Sequence, residues 1–404
     1  MTLDVNYIRQ QFPILERKIN NARLAYLDSG ASAQKPNMVI DGMADFAKTS
    51  YANVHRGIHT LSNEATNAYE NARKKVANFI NADEGEIVFT KSATESLNLI
   101  ANTLGASLKA GDEILITELE HHANIVPWHM ICAKTGAVLK WARINDDGSL
   151  DIDDFKANLS DKTKITSFAH ISNVLGTKLP INELTQLVHN FGAKVIIDGS
   201  QGIVHEKVDV KSIDCDFYIF SSHKLYGPTG IGVLYGKSVL LNELPPFLGG
   251  GEMIETVTKT NVTFNEAPFR FEAGTPPIIE AHGLGLAIDW INKFDRNEIN
   301  AHEQSLLDAA TNGLRGKNKV KIHGNTKDKA AILTFSIDNI HPHDISQILD
   351  KYGVAIRAGH HCAQPLMARL GVSATARASF GIYNNMDDVE QFLNAIDKAI
   401  EFLG

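Results

Sequence analysis

Short apolar runs alternate with helical patterns through the first two-thirds of this 404-residue sequence, and that alternation constrains the fold more than any other feature. EIVFT (86–90), DEILIT (112–117), KITSFAH (164–170), AKVIIDG (193–199), CDFYIFS (215–221) and GIGVLYG (230–236) have strand length and strand composition. Between them lie SATESLNLIANTL, NIVPWHMICAKTG and INELTQLVHNFG (181–192), the last an amphipathic pattern closed by Gly192. Strands taking turns with helices predict an α/β fold with a mostly parallel sheet covered on both faces.

The remainder reads differently. PPFLGGGEMI (245–254) has the Pro/Gly content of an exposed loop, and APFRFEAGTPP (267–277) is a second irregular stretch. IIEAHGLGLAIDWINKF (278–294) and NAHEQSLLDAATNGL (300–314) carry helical patterns. The tail mixes strands (AAILTFSI, VAIRAG, ARASFGI) with helices (HDISQILDKYG, MDDVEQFLNAIDKAIEFLG), which predicts a smaller α+β domain. We draw the boundary at 270/271, with residues 21–270 as the large domain, 271–404 as the small one, and 1–20 as an N-terminal segment packing on the small domain.

Composition excludes several functions. Net charge is −8 with no Lys/Arg block, which argues against a nucleic-acid surface. No run of about 18 apolar residues offers a membrane span, and the charged start MTLDVNYIRQQFPILERKIN has no leader-like stretch, so a cytoplasmic location is expected. Three widely spaced cysteines, at 132, 215 and 362, make no disulfide framework, and no CxxC pair suggests a zinc ribbon.

Chemistry concentrates at strand ends. VIIDGSQG delivers Asp198 at the carboxyl end of a buried strand, where parallel sheets hold ligands, and Gln201 follows. SSHKLYGPTGIG delivers Ser221, His223 and Lys224 from the next strand into a glycine-rich turn. A lysine can form a Schiff base with an aldehyde, and an aspartate can pair with a pyridinium nitrogen. A plain buried Asp–Lys ion pair is the bland alternative for either residue alone; the two together favour a cofactor. FTKSATESLN supplies a helix start suited to an anion, with Ala93 and Thr94 as amide donors, although an ordinary N-cap at Ser92 or Thr94 explains that segment equally well. In LEHHANIVPWH the paired histidines could mark a metal, but neighbouring residues rarely converge on one ion; His121 reads better as a ring stacked on a planar cofactor, and no metal site is expected. Cys362 lies in the loop RAGHHCAQP, where an accessible thiol with His and Arg neighbours favours the nucleophilic thiolate. Cys132 and Cys215 sit in apolar runs and read as core residues. Arg377 could clamp a carboxylate with its planar fork, or form an ordinary ion pair.

HRGIHTLS, EHHANIVPW, ISNVLGT, VIIDGSQ, SSHKLYGPTGIG, RFEAGTP and RAGHHCAQP together resemble the class V aminotransferase-fold cysteine desulfurases, and the RxGHHCA loop resembles group II, the SufS/CsdA type. The likeness runs from LAYLDSGASAQKP to the last helix. It implies the pyridoxal-phosphate (PLP) fold type I, with a seven-stranded sheet in the large domain. It implies Lys224 as the Schiff-base lysine, Asp198 as the pyridinium partner and His121 as the stacking ring that also aids protonation. Asn173 and Gln201 match residues near the phenolic oxygen. Thr94, Ser221 and His223 match phosphate contacts, and Thr275 resembles one supplied by a second subunit. Arg377 matches the substrate-carboxylate clamp; Asn173, Arg357 and His55 match the substrate pocket, and Arg56 lies beside it. Departures are Gly30 in LDSGAS, Ser222 in FSSHK, and PIIEAHG after AGTP.

The implied activity converts L-cysteine to L-alanine with the sulfur held as a persulfide on Cys362, for an acceptor in iron–sulfur cluster assembly. A homodimer and a thiol-bearing acceptor of the SufE or SufU kind are the implied partners, and L-selenocysteine would fit the same pocket. The alternatives are a selenocysteine lyase, an aminotransferase or kynureninase-like relative, and, from another class, a non-catalytic sulfur carrier or iron–sulfur scaffold with His360, His361 and Cys362 as ligands.

Overall fold

The computed structural model describes residues 3–404. Seven strands form one sheet: β1 (Ile87–Thr90), β2 (Glu113–Thr117), β3 (Val138–Ala142), β4 (Thr163–Ala169), β5 (Lys194–Asp198), β6 (Phe217–Ser221) and β7 (Gly232–Gly236), in the spatial order β1-β7-β6-β5-β4-β2-β3. Strands β2 to β6 run parallel, and β7 lies antiparallel between β1 and β6. Six of these strands are the apolar runs of the sequence. The seventh, β3, is an edge strand whose side chains stay half exposed, so VLKWA never formed a continuous apolar signal.

Alternation along each strand sorts the core into two faces. On one face Ile114, Ile116, Ile196 and Ile219 pack with Leu97 and Ile100 of the helix Ala93–Thr103 and with Trp128 and Ile131. On the other, Leu115, Phe168, Val195 and Ile197 pack with Tyr69, Val76 and Ile80 of the helix Thr60–Ile80 and with Leu184 and Val188.

The domain boundary lies further along the chain than the sequence suggested. The helix Ile278–Ile291 belongs to the large domain: Ile278, Ala281, Leu284 and Ile288 join its core, and the helix packs on Asn37–Thr49 and Thr60–Ile80. The chain passes to the small domain after Ile291 rather than at 271. The irregular stretch before this helix looked like a linker, but Glu272 within it is buried and pairs with Arg73 at 2.7 Å while accepting the Phe89 amide. A buried carboxylate tied to a buried guanidinium pins the stretch to the large domain. The N-terminal segment touches both domains. Ile8, Phe12 and Leu15 pack with Tyr226 and Trp290 as well as Tyr383, while Arg9 bonds Asp388 at 3.0 Å. It wedges into the junction of the two domains instead of lying on the small one alone.

The small domain has four antiparallel strands, β8 (Val320–His323), β9 (Ile332–Ile337), β10 (Arg357–Gly359) and β11 (Thr375–Ser379), in the order β8-β9-β11-β10. VAIRAG, read as one strand, divides. Val354–Ala355 pairs with Ala25–Tyr26 near the chain start, and only Arg357–Gly359 joins the sheet. That switch delivers Arg357 and the following Cys loop toward the carboxyl ends of β5 and β6.

Candidate active site

Register brings the two key strand tips together. Asp198 ends β5 and pairs with Ile219 of β6, two residues before Ser221 and five before Lys224. Asp198 and Lys224 both line one cavity of about 190 Å³, together with His121, Asn173, Arg377 and Cys362. Asp198 is buried, and its Oδ1 accepts the Ser200 amide at 3.0 Å. Burial lowers the Lys224 amine below its ordinary range, against the opposing pull of Asp198, and Arg377 lowers it further. Lowering the amine in this way favours its unprotonated, nucleophilic form.

His121 enters from the loop after β2. Its Nδ1 accepts the Ala123 amide at 3.1 Å, which leaves the ring proton on Nε2. Burial and the Lys224 charge bring it down to about 4, so a neutral flat ring faces the cavity. His122 turns the other way. Its amide donates to the Cys362 carbonyl at 2.6 Å and its Nε2 accepts the Gln364 amide at 3.1 Å, so the second histidine of the pair fastens the Cys loop.

The anion cradle is the start of the helix Ala93–Thr103. Ser92 caps it, accepting the Glu95 amide at 3.2 Å, and Ala93 donates its amide to Ser221 Oγ at 2.8 Å. Thr94 and His223 line the same end of the cavity. Gly232 permits this approach, since a Cβ there would stand 2.4 Å from the Ser92 carbonyl carbon. The positive end of the helix, a serine hydroxyl and a histidine suit a phosphate, although the Ala93 amide expected to face it is taken by Ser221.

The Cys loop is the most strained part of the site. His361 and Cys362 are successive non-glycine residues with φ of 52° and 55°. Asn173 Nδ2 donates to the His361 carbonyl at 2.8 Å, and His361 Nε2 meets Thr375 Oγ1 at 2.9 Å. The result is an exposed Cys362 side chain held at the cavity mouth. Cys215 is buried as expected, whereas Cys132 is only half-buried, because its helix lies at the surface beside the edge strand.

Arg377 on β11 is 2% exposed; its Nη1 donates to the Asn173 carbonyl at 2.7 Å, and its Nε is buried without a partner. The side chain also lines the cavity, where a ligand carboxylate could meet the planar guanidinium. Arg357 lines the same wall.

Four expected residues stand elsewhere. Gln201 is buried beneath the floor, its amide spent on the Gly30 carbonyl at 2.7 Å. His55 pairs with Glu70 at 2.8 Å and packs on Tyr69 and Phe269, away from this chain's cavity. Arg56 pairs with Glu252 at 2.7 Å, and Thr275 is exposed outside the cavity. Sequence reasoning missed Gly30, Ala31, Ser200 and His361 as lining residues, and Asp28, which bridges Arg357 and Arg377. The motif LDSGAS was visible, but nothing local told that its aspartate faces two arginines more than 300 positions on.

Fold and site define the class first: an α/β protein of PLP fold type I, in which an amine and a carboxylate on adjacent strand tips stand opposite an anion cradle. The chain belongs to the aminotransferase class-V family, which it matches over residues 25–392. Within that family it is similar to a cysteine desulfurase of Shigella flexneri, 46% identical over 407 aligned residues that cover all of both chains. Its fold superimposes on the cysteine desulfurase CsdA of Escherichia coli with a TM-score of 0.93 at 39% identity, covering both chains fully. An apo cysteine desulfurase from Thermococcus onnurineus gives a TM-score of 0.94 at 38% identity, covering 100% of this chain and 99% of that one.

Proposed function

We propose that this chain is a PLP-dependent cysteine desulfurase, and the observation that carries the reading is an exposed thiol, Cys362, opening into the cavity that Lys224 and Asp198 share. The lining residues fit the cofactor: Lys224 would meet its aldehyde, Asp198 its ring nitrogen, His121 its face, and the helix start at Thr94 with Ser221 and His223 its phosphate. When bound, pyridoxal phosphate supplies the carbonyl that takes the substrate amine and the ring that accepts charge.

The protein's own groups do the rest. Arg377, which lines the cavity, holds the substrate carboxylate, and Asn173 steadies both Arg377 and the Cys loop. The Lys224 amine removes the Cα proton. Cys362 sulfur bonds to the substrate sulfur as the substrate's C–S bond breaks; the bonding pair stays with carbon and a proton follows. In balance, thiol plus L-cysteine gives persulfide plus L-alanine, with no outside oxidant.

Cys362 also borders an outer groove lined by His122, His341, His343 and His360. An acceptor protein that brings its own thiol reaches the persulfide from that side, in service of iron–sulfur cluster assembly. The exposed Thr275 and the His55–Arg56 segment serve a homodimer in which they border the partner's site. No helix among the described residues is long and apolar enough to cross a membrane, which suits a cytoplasmic enzyme.

The test is direct. Purified protein given L-cysteine and a thiol reductant should release alanine. Cys362→Ser should keep the cofactor's absorption band and lose that release; alanine production at the wild-type rate by the variant overturns the role of Cys362.

A further inference from the structure

Glu120 directly precedes His121, yet it is 1% exposed and stands outside the cavity lining. Its two carboxyl oxygens take three donors. Oε1 accepts from Thr117 Oγ1 at 2.5 Å and from the Ala169 amide at 3.1 Å, and Oε2 accepts from Asn124 Nδ2 at 2.6 Å. Asn124 is fully buried as well; its Oδ1 accepts from Trp128 Nε1 at 3.0 Å and from Ser167 Oγ. Burial pushes Glu120 up to about 8 while the three donors pull it down. The oxygens of both side chains and the Asn124 amide are thus matched to partners, so direction as well as packing fixes the pair.

What the pair holds is the loop between β2 and the helix Val126–Thr135. Glu120 and Asn124 bracket His121 and His122. They tie this loop to Ser167 and Ala169 on β4, and Ala169 is the register partner of Asp198 on β5. His121 lines the cavity with Asp198 and Lys224, while His122 fastens the Cys362 carbonyl and the Gln364 amide. One buried pair therefore stands behind both the ring that faces the cavity and the loop that carries the thiol. We propose that Glu120 and Asn124 are positioning residues that set the His121 ring and the Cys362 loop in register with Asp198. This deepens the desulfurase reading and rests on it, since it takes His121 to lie against the cofactor and Cys362 to receive the sulfur.

The test exchanges the two side chains. In Glu120→Gln the new amide faces Asn124 Nδ2, donor against donor; in Asn124→Asp two carboxyl groups meet. Glu120→Gln with Asn124→Asp restores every pairing: the new amide donates to the new carboxylate, and the remaining oxygens keep their donors. Two readouts are taken on holoprotein well below its Tm, each per bound cofactor. One is the visible circular-dichroism band of the cofactor; the other is the rate of persulfide formation on Cys362 by rapid quench. Each single variant should weaken the band and slow the persulfide roughly ten-fold, the effect of one unmatched buried polar group. The double variant should return both toward the wild-type values. Single variants that lose only Tm, a loss confined to one readout, or a double variant that recovers neither would each overturn the proposal. If a single variant yields no folded holoprotein, Thr117→Val, which removes one of the three donors, decides: both readouts must fall, and values that hold overturn the idea. Wild-type holoprotein with no visible band, or with no persulfide on Cys362 after L-cysteine, would overturn the desulfurase reading itself, an outcome distinct from the others.

Discussion

His361 and Cys362 hold left-handed backbone at successive positions, a conformation that costs about 1–3 kcal/mol per non-glycine residue. The loop keeps it because His122, Asn173 and Thr375 fasten three points around the thiol. His122→Ala removes the acceptor for the Gln364 amide. That variant should bind the cofactor with an unchanged absorption band while forming the Cys362 persulfide more slowly, as rapid-quench assays would read. Arg377 makes a different demand. Loss of a buried bidentate contact is worth about 2–3 kcal/mol, so Arg377→Ala should raise KM for L-cysteine roughly 30- to 150-fold. Steady-state kinetics with a cofactor-affinity measurement alongside would show whether the defect stays with the substrate.

Among the elements, the helix Thr60–Ile80 and the stretch around Glu272 form a unit whose value is structural. Arg73 is buried between Glu70, Glu272, the Ile87 carbonyl and the faces of Tyr69 and Phe89. Removing one member of a buried ion pair leaves an uncompensated charge, at a cost of about 3–5 kcal/mol. Glu272→Ala should therefore shift the urea unfolding midpoint down by that amount of stability, whereas Glu255→Ala, on an exposed strand, should leave it in place. The same unit explains what the sequence could and could not reveal. Strands buried on both faces, β1, β2 and β4 to β7, announced themselves as apolar runs, and so did Asp198 and Lys224 at their tips. The edge strand β3, the large-domain home of the helix Ile278–Ile291 and the role of His122 did not. Each depends on a partner distant in sequence, and local pattern carries no trace of that partner. The motif RFEAGTP resembled a site element, yet its Glu272 proves to be an anchor for Arg73.

For the molecule as a whole, buried histidines set the acid limit. Burial brings His121, His170, His223 and His323 down to about 4 and His361 to about 3. Below the ordinary histidine range of about 6.5 the unfolded chain takes up protons that the folded chain refuses, so stability must fall as pH drops from 6.5 toward 4. Glu120, pushed up to about 8 by burial, acts in the opposite sense as one group against five. Differential scanning fluorimetry between pH 7.5 and 5 should show Tm falling by several degrees; a flat or rising Tm would mean that these rings protonate in the fold. Capture of sulfur by a small-domain thiol, in a cavity lined by both domains, has its own measurement. After brief exposure of the holoprotein to L-cysteine, alkylated peptides are weighed by mass spectrometry. One added sulfur atom is expected on the peptide bearing Cys362 and none on those bearing Cys132 or Cys215. Alanine formed with no sulfur on Cys362, or with the sulfur on another cysteine, would contradict it.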